Sequence, residues 1–226
     1  MKLLFIPGLL STREIWGKLN LFRERFSASD ADVTSFDSIT AMADAVDGTV
    51  NKDDDYCVIG ISMGGYVALE LATRPLDWLK KLILINTSAK PVNPNSVPDR
   101  ELAIELASTL GLREVLGLYP GICFYEYTQE MEKLEEQMAK TVGVEAYIKQ
   151  QTAIINRASY VPKLDKIMAK TLIITSLDDA VLPFKDSLEL HKGIDNSTLF
   201  SLRRCGHLPT LEKSDEIFSE VESFLR

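Results

Sequence analysis

The sequence predicts an α/β fold: a doubly wound, mostly parallel sheet with a helical cap inserted between two of its strands. Three observations predict it. Short, nearly continuous apolar runs recur along the chain, helix-length segments with helical spacing lie between and after them, and the stretch from Ser88 to Lys163 holds helical patterns without a strand-like run. Short runs rich in Ile, Val and Leu suit strands buried on both faces, as parallel sheets require. Their alternation with helices selects a layered α/β architecture over a sandwich or a bundle.

The first run is Leu3 to Ile6. With Lys2 before it, the N-terminus has the outline of a signal peptide, but Pro7 and Gly8 interrupt the apolar stretch and no small-x-small site follows. It reads as a buried first strand entering a turn. Asp53-Asp54-Asp55 reads as a solvated turn before the second run, Cys57 to Ile61, and Gly65 to Thr73 has helical spacing after it. Leu82 to Ile85 is the third run. The inserted segment then carries helical patterns over Arg100 to Leu110 and Gln129 to Lys140. In the second of these, Met131, Leu134 and Met138 form a packing stripe, and Glu132, Glu135 and Glu136 read as a solvated face. Leu172 to Thr175 and the weaker, alternating Thr198 to Leu202 complete the strands. Ile217 to Leu225 forms a last helix with Ile217, Val221, Phe224 and Leu225 on one side. No repeat or low-complexity linker divides the chain, so residues 1–226 are expected to form a single domain, with residues 88–163 as its inserted cap.

Composition excludes several functions. Of 226 residues, 46% are hydrophobic and 26% charged, as in an ordinary globular protein. The net charge of −8 argues against binding a phosphate backbone, so no nucleic-acid partner is expected. No apolar run approaches the ~18 residues of a membrane span, so no membrane partner is expected either. Cys57, Cys123 and Cys205 are odd in number and far apart, which leaves at least one free in a monomer and suits a reducing cytoplasm. Only two histidines occur, His191 and His207, so imidazole chemistry must use one of them and a zinc site with several His ligands is excluded. Nothing in the sequence sets the oligomeric state.

The sharpest local signal is Gly60-Ile61-Ser62-Met63-Gly64-Gly65, directly after an apolar run and directly before a helical pattern. A G-x-S-x-G turn reverses the chain so tightly that its serine sits at a strained position with the hydroxyl exposed, and flanking glycines remove Cβ clashes. The following helix offers free N–H groups to an oxyanion. A serine nucleophile needs a base, and the base needs an orienting carboxylate. His207 lies in a loop just past the last strand, where it can point back over the sheet, whereas His191 falls on an amphipathic helix and reads as a bystander. Asp178 and Asp179 both follow the strand Leu172 to Thr175, at the strand end where open α/β sheets place their sites. The residues alone leave these two aspartates in competition.

Taken together these segments resemble the α/β-hydrolase superfamily, in its small form with a helical cap, over essentially the whole chain. The resemblance rests on Phe5-Ile6-Pro7-Gly8-Leu9, the turn at Ser62, the acid loop ahead of Pro183, and Gly206-His207-x-Pro209-x-x-Glu212. It implies Asp179 as the acid, because the family's acid stands four residues before that proline. It also implies a Ser62, Asp179, His207 triad, an oxyanion hole formed by the N–H groups of Leu9 and Met63, a small-molecule substrate, and no metal or organic cofactor. Leu10 and Trp16, near the oxyanion loop, are expected to face the substrate. Leu112, Leu116, Leu118, Tyr119, Ile122, Phe124, Tyr125 and Tyr127 supply apolar groups for a pocket roof or for packing. Two departures stand out: Pro7-Gly8 replaces the family's His-Gly, and Ser35-Phe36-Asp37-Ser38 is all that stands where the family has Asp-x-x-Gly-x-Gly-x-Ser.

The implied activity is hydrolysis of a small, largely apolar carboxylester or thioester through an acyl-enzyme. A serine at the nucleophile position disfavours the epoxide-hydrolase and dehalogenase chemistry of related families. Menaquinone-pathway synthases and meta-cleavage hydrolases resemble the chain at the same level, which makes a lyase or carbon–carbon bond hydrolase the alternative. Their carboxylated substrates would favour arginine in the pocket, with Arg13, Arg113 and Arg157 as candidates. A ligand-binding protein that keeps the fold without turnover is the alternative from another class.

Overall fold

A computed structural model describes residues 1–226. Its six strands are β1 (Lys2–Ile6), β2 (Ala28–Asp30), β3 (Tyr56–Ile61), β4 (Leu79–Ile85), β5 (Lys170–Ser176) and β6 (Ser197–Leu202). They form one sheet in the order β2-β1-β3-β4-β5-β6. Every neighbouring pair is parallel.

Alternation along the strands divides the core in two. Leu4, Ile6, Val58, Leu82, Leu84 and Ile173 point to one face, against α1 (Ile39–Thr49), α2 (Met63–Ala72) and α7 (Phe184–Gly193). Leu3, Phe5, Ile59, Ile83, Leu172 and Ile174 point to the other, against the 3-10 segment Arg13–Glu24, α8 (Pro209–Glu212) and α9 (Ser214–Leu225). With helices on both faces, the central strands are dry on both sides. Their unbroken apolar runs follow from that.

Between β4 and β5 the chain forms α3 (Val97–Leu110), α4 (Leu112–Leu116), α5 (Gln129–Val142) and α6 (Val144–Ile155), with short 3-10 turns and no strand. All four helices lie within the 88–163 span expected from sequence. The N-terminal run is β1, central in the sheet, and its turn leads into the site.

Strand β2 and helix α1 match none of the sequence patterns above, and neither do the 3-10 segment Arg13–Glu24, α4 and α6. Strand β2 is a three-residue edge strand of Ala, Ser and Asp, too short and polar to give an apolar run. Helix α1 is announced by Ser38, whose hydroxyl accepts the Ala41 N–H as an N-cap.

Candidate active site

The C-terminal ends of β1, β3, β4, β5 and β6 converge, and each contributes a loop to one site. At the end of β3 the chain turns sharply at Ser62, held at φ 53° and ψ −118°, and α2 begins at the next residue. Only glycine fits around it. A Cβ on Gly64 would stand 1.9 Å from the Ile6 carbonyl oxygen, and one on Gly60 would stand 2.6 Å from that of Gly64. The turn is fastened by Ser62 N–H donating to Ile85 O at 3.0 Å and by the Thr87 hydroxyl donating to Ser62 O at 2.8 Å.

His207 reaches back from the loop after β6, as the sequence places it. Its Nε2 lies 2.8 Å from Ser62 Oγ, and its Nδ1 lies 2.7 Å from Asp179 Oδ2. The imidazole and carboxylate are 4% and 1% exposed, so water does not compete for these bonds. The other oxygen of Asp179 accepts the N–H groups of Val181 and Leu182 at 2.8 and 3.0 Å, which fixes the carboxylate in its loop. A carboxylate at Nδ1 keeps the proton of neutral imidazole there and leaves Nε2 as an acceptor for the serine hydroxyl. Asp178 is occupied elsewhere, taking the Arg204 N–H at 2.7 Å. His191 sits on α7, 2.9 Å from the Ser197 hydroxyl, and takes no part.

The loop after β1 passes beside Ser62: a Cβ on Gly8 would stand 3.3 Å from Ser62 Cβ. Leu9 and Leu10 border the same cavity as Ser62. Met63 is the first residue of α2, so its N–H is one of the donors that a helix leaves unpaired. Leu10 has φ 52°, and its N–H donates to Gln150 Oε1 at 3.0 Å. Gln150, fully buried on α6, also donates to Val33 O at 3.2 Å. A side chain of the insertion thus braces the Pro7–Leu10 loop.

The cavity has a volume of about 810 Å³ and includes Ser62 and His207. Leu116, Leu118, Tyr119 and Ile122 line it, the first of the two roles the sequence left open for them. Leu112 instead packs beside Ala103 and Tyr147, Phe124 is buried in the second core, and Tyr125 and Tyr127 are exposed. The expectation for Trp16 needs correction. Its indole is fully buried with its ring 5.0 Å from Phe5, on the core side of the 3-10 segment, and it does not reach the cavity. Glu135 is a second correction: it is half-buried on the cavity wall rather than solvated, and burial pushes its carboxyl up despite a hydrogen bond from Tyr127. Of the three candidate arginines, Arg13 pairs with Asp30, Arg113 lies outside the cavity, and Arg157 lines it.

Three further side chains shape the site. Asn86, at the end of β4 with φ 39°, donates to Ser176 Oγ, Gly206 O and His207 O, and its own oxygen accepts the Ser176 N–H at 2.8 Å. An Asn directly after an apolar run, where left-handed backbone favours it, was the available signal. Glu212 accepts the N–H groups of Gly206, Tyr125 and Glu126 at 2.7, 2.8 and 3.2 Å, tying the histidine loop to the insertion. Arg100 of α3 lines the cavity and had no distinguishing sequence pattern.

A strand-to-helix serine turn, a histidine loop and an acid loop on a doubly wound parallel sheet define the class as α/β hydrolase. The sequence model described as the alpha/beta hydrolase family matches residues 3–220, and the chain belongs to that family. Among curated relatives, a protein of Rhizobium rhizogenes provisionally named carbamate hydrolase RutD is 27% identical over 86% of this chain and 77% of its own length. The 2-hydroxy-6-oxononadienedioate/2-hydroxy-6-oxononatrienedioate hydrolase 1 of Pseudomonas putida is 28% identical over 88% of this chain and 74% of its own. Among solved structures, a thermophilic esterase from Thermogutta terrifontis superposes with a TM-score of 0.90 at 22% identity, covering 100% of this chain and 89% of that one. The last of these speaks to the fold alone.

Proposed function

We propose that the protein is a serine hydrolase that cleaves a small carboxylester or thioester with an apolar body, through an acyl-enzyme on Ser62. The observation that carries this is the unbroken chain Ser62 Oγ, His207, Asp179, at 2.8 and 2.7 Å. Ser62 Oγ attacks the acyl carbonyl as His207 Nε2 takes its proton. Asp179 holds the imidazole tautomer and stabilises the imidazolium that forms. The N–H groups of Leu9 and Met63 receive the developing oxyanion; removing one such donor costs ~3–4 kcal/mol of transition-state stabilisation in a comparable site. His207 returns its proton to the leaving alcohol or thiol as the bond to the carbonyl carbon breaks. Water, deprotonated by His207, then attacks the acyl-enzyme, and the proton passes to Ser62 Oγ as the acid leaves. Leu116, Leu118, Tyr119 and Ile122 supply the apolar wall for the substrate's body.

The test is turnover of p-nitrophenyl butyrate together with labelling by a fluorophosphonate. Wild type is expected to hydrolyse the ester and take one label at Ser62, whereas Ser62→Ala should fold, bind and do neither. Ester turnover unchanged in Ser62→Ala would overturn the assignment.

A further inference from the structure

Consecutive residues at the end of β4 touch all three loops that carry Ser62, Asp179 and His207. Ile85 O accepts the Ser62 N–H at 3.0 Å, and the Thr87 hydroxyl donates to Ser62 O at 2.8 Å. Between them Asn86, 2% exposed, serves the other two loops. Its Oδ1 accepts the N–H of Ser176, the last residue of β5 before the acid loop, at 2.8 Å. Its Nδ2 donates to Ser176 Oγ at 3.1 Å, to Gly206 O at 3.2 Å and to His207 O at 3.0 Å. An amide carries two hydrogens, so one of them is shared between acceptors.

The sheet order explains why such a tie is needed. β6 is the edge strand, separated from β3 by β4 and β5, yet the imidazole in the loop after it must reach Ser62 at the end of β3. Ladder hydrogen bonds fix strands, not the loops beyond their ends. Asn86 reaches across the end of β5 and takes the carbonyl of His207, while Cys123 O of the insertion takes the His207 N–H at 2.8 Å. With both main-chain groups of His207 held, the direction of its Cα–Cβ bond is set, and so is the reach of the ring. No water enters at this depth to replace the amide. Asn86 has φ 39°, a left-handed conformation that glycine adopts freely, so its side chain can be removed without refolding the backbone there.

We propose that Asn86 is a positioning residue for the reaction, locking the histidine loop to the acid strand so that the imidazole meets Ser62 and Asp179 at once. This role deepens the reading of the Ser62, His207, Asp179 chain and rests on it. Two variants test it: Asn86→Gly keeps the backbone conformation, and Asn86→Asp keeps the shape and the acceptor but has no hydrogen to donate. Asn86 lies outside the cavity. Misplacing a reacting group by about 1 Å costs on the order of 100-fold, so both variants are expected to lose about 100-fold in kcat on p-nitrophenyl butyrate with KM within about threefold of wild type. Asp179→Asn already removes the orienting carboxylate, so in that background Asn86→Gly should cost no more than about threefold, as groups that act as a unit do. An equal loss in both backgrounds, or undiminished kcat in both single variants, would overturn the assignment. A second readout needs no turnover. The Nδ1 proton of His207, bonded to Asp179, resonates far downfield in the proton NMR spectrum, and His191→Gln identifies it because the chain has two histidines. It should weaken and move upfield in both Asn86 variants, and an unchanged resonance would overturn the role. If neither variant folds, Asn86 is a determinant of the fold and the assignment fails. Absent turnover and absent fluorophosphonate labelling in wild type, with a resonance that still responds to Asn86, would count against the nucleophile and not against Asn86.

Discussion

Gln150 links the insertion to the reacting centre, and replacing it with methionine tests that link. Methionine is close to glutamine in size, so little cavity opens; what disappears is the bond from Leu10 N–H at 3.0 Å and the bond to Val33 O at 3.2 Å. Gln150 is fully buried, so water does not replace it. Two polar groups left unpaired at ~1–3 kcal/mol each predict a stability loss of roughly 2–6 kcal/mol. For a domain of this size, at about 2–4 °C per kcal/mol, the thermal midpoint should fall by roughly 4–24 °C. Activity should fall as well, because Leu10 directly follows Leu9, whose N–H is assigned to the oxyanion. Displacing that donor weakens a contribution of about 3 kcal/mol, so kcat on p-nitrophenyl butyrate should drop by up to about 100-fold. Affinity for a boronic acid that mimics the tetrahedral intermediate should weaken in step with kcat/KM. A lower midpoint with kcat within about twofold of wild type would refute the reasoning, since Gly8 and the Ser11 hydroxyl on Leu9 O would then hold the loop unaided.

Asp179→Asn should fold normally by circular dichroism and lose about 10⁴ in kcat, because an amide favours the wrong imidazole tautomer. The thiols of Cys57, Cys123 and Cys205 are each pushed up to about 12 by burial, so only about 10⁻⁴ of each is thiolate at pH 8. Native protein should therefore react slowly with Ellman's reagent at pH 8 and speed up only as pH approaches 12 or the chain unfolds, whereupon all three free cysteines should titrate. A thiol that reacts at the rate of free cysteine in native protein at pH 8 would contradict this.

The parts of the fold legible in the sequence are those where local pattern and tertiary burial agree. Strands β1, β3, β4 and β5 are apolar because they are dry on both faces, and the turn at Ser62 needs glycines wherever it occurs. Ser62, His207 and the acid loop were legible for the same reason: each sits where an apolar run ends. The sequence did not reveal which side chains of the insertion face the cavity. Glu135 shares a helical face with solvated neighbours, and only the docking of α5 on the cavity buries it. Trp16 lies close to the oxyanion loop in sequence, yet the turn of the 3-10 segment carries its indole onto Phe5. Gln150, Asn86 and Arg100 act at long range, through partners far off in the chain, and no spacing rule reaches that far.

The same long-range bonds say where the cavity is held shut and where it is not. Gln150 of α6 grips the loop after β1. From the other direction, His207 N–H and Leu208 N–H donate to Cys123 O at 2.8 and 3.2 Å, and Glu212 takes the N–H groups of Tyr125 and Glu126. A Cβ on Gly206 would stand 2.6 Å from the backbone of Phe124, so the histidine loop and the insertion are in direct contact. The insertion is therefore part of the scaffold that positions both reactive loops, and lifting it as a unit would dismantle the oxyanion loop and the histidine loop together. Residues 111–122 differ: their backbone hydrogen bonds run within that segment or to its immediate neighbours, and Leu118, Tyr119 and Ile122 are exposed on the roof. Opening this segment breaks no bond to either reactive loop. Movement of this segment alone would therefore leave the Ser62–His207 and His207–Asp179 hydrogen bonds intact.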